Sequence, residues 1–139
     1  MTRRSSAVAL WIGLSMSAFA QGRPCSEVKA RHADAAVDTL TSWDRLYQWY
    51  KTYGECDDGV MAEGYSEAVA RNLVDRWKTL PRLAELARKD DGFQPFVLKH
   101  LNQTLNDDDL KKIRANAESR CPAGLHRLCG DVKKQAEAP

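Results

Sequence analysis

The sequence has no two cysteines closer than eight positions, no histidine pair at helical spacing and no apolar run long enough to cross a membrane. It also lacks internal repeats, low-complexity stretches and alternating runs of β-branched residues. Each absence removes a class. Zinc sites want Cys-x₂₋₄-Cys or close histidine pairs, and the cysteine gaps here are 31, 65 and 8 positions. The longest apolar stretch, Ala7 to Ala20, is about 14 residues, against the ~20 that a spanning helix needs. Without alternation there is no case for a sheet.

That short apolar stretch has a different meaning. Arg3 and Arg4 precede it, Ala18-Phe19-Ala20 closes it, and polar Gln21-Gly22-Arg23 follows. This is the layout of a cleaved secretory signal peptide over 1–20. Removal leaves 119 of 139 residues, one domain by length. It also takes two of the 21 basic residues and leaves 19 against 19 acids. A chain without net positive charge lacks the main electrostatic term for nucleic-acid binding, so no nucleic-acid partner is expected. Nor is a stable membrane anchor expected after cleavage. A lipid-bearing cysteine would sit directly after the cleavage site, whereas Cys25 follows Gly22-Arg23-Pro24.

Export implies an oxidising compartment, the periplasm of a Gram-negative bacterium or the extracellular space. The even cysteine set Cys25, Cys56, Cys121 and Cys129 then reads as two disulfides. Cys25–Cys56 with Cys121–Cys129 is favoured because both bonds close short loops. Cys56–Cys121 with Cys25–Cys129 remains open beside it.

Helical periodicity runs through the remainder, 21–135, ahead of a polar tail at 136–139 expected to fray. Ser26 caps a weakly amphipathic segment reaching Leu40. Thr41 or Ser42 caps the next, where Trp43, Leu46, Tyr47, Tyr50 and Tyr53 recur at helical steps and Gly54 is placed to stop it in a left-handed turn. Asp57 or Asp58 opens a long helix to about Trp77, with Gly64 marking a close helix crossing. Pro81 and Pro95 sit in first turns. Asn106 or Asp107 caps a helix ending before Pro122, and a short last helix carries Leu125, Leu128, Cys129 and Val132. The expectation is an all-α single domain of about five or six short helices tied by two disulfides.

Few residues offer chemistry. Gly64-Tyr65-Ser66-Glu67-Ala68 approaches the G-x-S-x-G elbow, but the elbow needs a preceding strand and an α/β sheet; Ser66 is read as a helix-surface serine. His32, His100 and His126 stand alone in sequence, and His100 falls on an apolar stripe. Glu55, Asp57, Asp58 and Glu63 flank Cys56 and suit a helix N-terminus. Asp107-Asp108-Asp109 reads the same way, and neither cluster has calcium-loop spacing. Asn102-Gln103-Thr104 is a formal glycosylation sequon. No cofactor or metal is called for. Trp49 falls off the aromatic stripe of its helix, so Trp49, with Tyr53, is the candidate protein contact.

The expected function is therefore an exported helical protein-interaction module of the envelope, of an inhibitor or immunity type, whose partner is another envelope or secreted protein. No motif of such proteins is present, so the comparison is one of general form. Two alternatives stand beside it. One is a small hydrolase using the acids near Cys56 with a histidine. The other is a helical carrier of an apolar ligand.

Overall fold

The computed structural model describes residues 24–139, and the expected leader at 1–20 lies outside them. Seven α-helices and no strand occur among the described residues. They are α1 (Glu27–Val37), α2 (Trp43–Tyr53), α3 (Gly59–Asp75), α4 (Leu80–Lys89), α5 (Phe93–Leu98), α6 (Asp107–Ser119) and α7 (His126–Glu137). No described helix is long and apolar enough to cross a membrane.

The caps explain the starts. Ser26, Ser42 and Asn106 each accept a bond from the backbone N–H three residues on, and Asp58 accepts from Gly59 N. Pro81 sits in the first turn of α4, where no helical N–H partner is lost. One end differs from expectation. Gly54 is right-handed (φ −54°), and the chain tightens into a 3₁₀ turn over Gly54–Cys56. The turn carries Cys56 to Cys25, with Cα atoms 4.9 Å apart. The second bond joins Cys121 to Cys129, so the favoured pairing is the one present.

Helix α3 packs against α1, α2 and α6, and α7 lies along α6. Leu46, Tyr65, Leu73, Leu83, Phe93 and Ile113 are fully enclosed between them. Gly64 lets α1 approach α3: a Cβ there would lie 2.4 Å from Val37 Cγ1. Two further expectations are corrected. The tail does not fray from 136, because α7 continues to Glu137 and buries Ala136 completely. Trp49 is not an outward aromatic. It is 2% exposed, and its indole N–H donates to Ala33 O at 3.0 Å. α1 covers a second face of α2, which the thin apolar pattern of α1 did not announce.

Candidate functional site

The chemistry-bearing side chains meet at one place. α3 projects Ser66 inward, the residue after the Cys56 turn is Asp57, and His100 lies just past α5. Ser66 Oγ is 2.9 Å from His100 Nδ1, and His100 Nε2 is 3.3 Å from Asp57 Oδ2. The Lys99 ammonium also pairs with Asp57. Burial opposes ionisation of Asp57, but the contacts with His100 and Lys99 outweigh it and hold its carboxyl below the usual value. The His100 ring packs against Tyr65 at 4.6 Å between centroids. Burial pushes the Tyr65 hydroxyl well above its ordinary range. That hydroxyl donates to Leu46 O at 3.0 Å.

The reading of Ser66 as a surface serine is thus overturned. It is 1% exposed and joined to a histidine and an acid. The order Ser–His–Asp invites comparison with a nucleophile and its base, which must share a hydrogen bond in which the base accepts. Here the single hydroxyl hydrogen also has a backbone acceptor, Ala62 O at 2.8 Å, so the carbonyl and the His100 ring compete for it. Asn102 Nδ2 adds a longer bond to the same oxygen, 3.4 Å. His100 itself is 2% exposed. None of the surface hollows described below includes Asp57, Ser66 or His100. The arrangement ties α3, the disulfide turn and the end of α5 together in the core.

The other acids near Cys56 do not join it. Glu55 pairs with Lys29 across the disulfide, Asp58 caps α3, and Glu63 is exposed. Asp107 and Asp108 are exposed at the start of α6, but Asp109 turns inward and pairs with Arg71. The sequon asparagine is committed to the fold as well, since Asn102 Nδ2 also donates to Lys99 O. No group of three or more His, Cys, Asp or Glu side chains is placed to hold a metal among the described residues.

The largest hollow lies between α1 and α2, about 480 Å³ and open to solvent. Ala36, Leu40, Trp49 and Tyr53 line it with apolar surface, and Asp44, Arg45, Gln48 and Thr52 form its polar edge. Trp49 and half-buried Tyr53, the two contact candidates, both line this groove. The other lining residues were not singled out from sequence. The available signal was Ala36, a small residue on the side of α1 that meets α2.

Comparison with family models, with curated proteins and with solved structures finds no match for this chain.

Proposed function

We propose that this chain is an exported helical protein-interaction module, of an inhibitor or immunity type, that engages another envelope or secreted protein through the α1–α2 groove. One contrast carries the reading: the titratable cluster is closed inside the core, while the surface opens between α1 and α2 beside half-buried Tyr53 with a polar edge. A half-buried Tyr beside solvent-facing polar groups suits a protein contact. Two formed disulfides and the leader pattern at 1–20 support export.

The test is affinity capture from envelope extract with the oxidised protein, paired with variants at the exposed edge. Gln48→Arg and Thr52→Arg are expected to remove a stoichiometric partner while leaving thermal unfolding unchanged. Capture of nothing above background, or capture indifferent to both variants, sinks the proposal.

The hydrolase alternative has one observation in its favour, the Asp57–His100–Ser66 connection. It requires Ser66 to react with a fluorophosphonate probe in the folded, oxidised protein. Absence of labelling removes it.

A further inference from the structure

The C-terminal ends of α3 and α6 meet around Trp77. A hollow of about 380 Å³ opens there, with Val74 and Trp77 as its apolar lining. Arg76, Lys78 and Arg120 surround it, and none makes an ion pair among the described residues. The one acid present, Asp75, is already engaged by Arg71 at 3.3 Å. Arg76 and Arg120 are the C-cap residues of α3 and α6, so the helix dipoles answer part of this charge. Each dipole end is equivalent to about half a charge, so the two together offset about one of the three positive charges. Other surface cations do carry acids, as Arg82 holds Asp44 and Glu85 and Lys133 holds Glu118.

Arg76 and Thr79 also line a small hollow beside Ser42 and Asp44, and Asp44 lines the α1–α2 groove, so shared residues link the neighbouring openings.

We infer that the Arg76–Lys78–Arg120 hollow receives an acidic segment of the partner protein, its carboxylates seated over Trp77. The inference rests on the interaction-module reading and names the partner's chemistry. An acidic protein segment fits better than nucleic acid. Three cations confined to one concave site do not make the extended basic track that a phosphate backbone follows, and the chain without Arg3 and Arg4 carries no net charge.

Trp77 is a built-in reporter. Its indole N–H donates to Arg120 O at 2.7 Å, whereas Trp49 is bonded to Ala33 O outside the hollow. The experiment follows indole resonances of the oxidised protein while hexaglutamate peptide is added. The expected result is a saturable shift of the Trp77 signal with Trp49 unmoved. At ~0.5 M salt, affinity is expected to fall by about tenfold, as for exposed charges. The double variant Arg76→Gln, Lys78→Gln leaves Arg120 and its bond to Asn116 in place, so its unfolding curve is expected to stay close to the parent's while peptide binding is lost.

No shift at Trp77, an equal shift at both tryptophans, or binding untouched by the double variant overturns the inference. So does tighter binding of a single-stranded oligonucleotide of equal charge. Partner capture without peptide binding sinks the acidic hollow and leaves the module reading standing. Peptide binding without any captured partner does the reverse.

Discussion

Trp49 and Ser66 both looked outward on a helical wheel, and both are buried. The wheel counts one apolar stripe, whereas each helix here touches neighbours on more than one side. For Trp49 the added neighbour is α1, through Ala33 O. Trp49→Ala is expected to cost ~3–5 kcal/mol in urea unfolding, the range for a truncated core aromatic. Trp49→Phe keeps one aromatic ring but loses the pyrrole ring and its bond to Ala33 O, so an intermediate cost of ~1–3 kcal/mol is expected. A cost near zero for the alanine variant would contradict the burial. For Ser66 the added partner is His100. Ser66→Ala leaves His100 Nδ1 without its partner in the core, and ~1–3 kcal/mol is expected from an unpaired buried polar group. Calorimetric melting of the oxidised protein checks this.

At the scale of elements, the α1–α3 contact depends on Gly64. Gly64→Ala places a methyl against Val37 Cγ1 and is expected to destabilise by ~1–3 kcal/mol through overpacking. Adding Val37→Ala removes the obstructing atom, so the pair is expected to be less than additive. A strictly additive double variant would show that the two helices do not meet there. The disulfides act on different lengths of chain. Cys25–Cys56 spans 31 positions and holds α1 to the turn after α2, while Cys121–Cys129 spans eight between α6 and α7. By loop entropy, losing the first bond costs ~3–4 kcal/mol and the second ~2–3. Paired Cys→Ser variants compared by midpoint of unfolding test the order. The crossing was legible in the sequence, since a glycine inside a long helical stripe marks close approach. The elements' caps were legible too, because Ser26, Ser42 and Asn106 act within three residues of themselves.

Over the whole molecule, two buried carboxylates link stability to acid. Burial opposes ionisation of Asp57 and Asp109, yet His100 and Lys99 on one and Arg71 and Asn106 on the other hold both below the unfolded value near 3.8. A depressed folded value means the contribution is complete above the unfolded value and lost as pH falls through the folded one. The unfolding midpoint is therefore expected to drop as pH falls below about 4, with Asp57→Asn and Asp109→Asn each flattening the curve. A pH profile identical in both variants and the parent would refute this. The two acids join segments distant in sequence, so their loss loosens the whole packing rather than one helix end. Asp109 was read as one of three dipole-complementing acids. Asp107 and Asp108 remain exposed, and only the approach of Arg71 on α3 separates the third from them.

By itself, the sequence determined the helical class, the N-terminal caps to within a residue, the two-disulfide framework and the absence of close metal-ligand spacing. These depend on periodicity, on capping within a few residues and on cysteine number, all written locally along the chain. Tertiary structure alone decided that Ser66, His100 and Asp57 meet, that Trp49 is covered, and that the surface opens between α1 and α2 and around Trp77. Ser66 and His100 are 34 positions apart, and Arg71 and Asp109 are 38 apart. Contacts across such separations are set by how seven helices share one core, and a periodicity of 3.6 residues carries no information about which neighbour fills a second face.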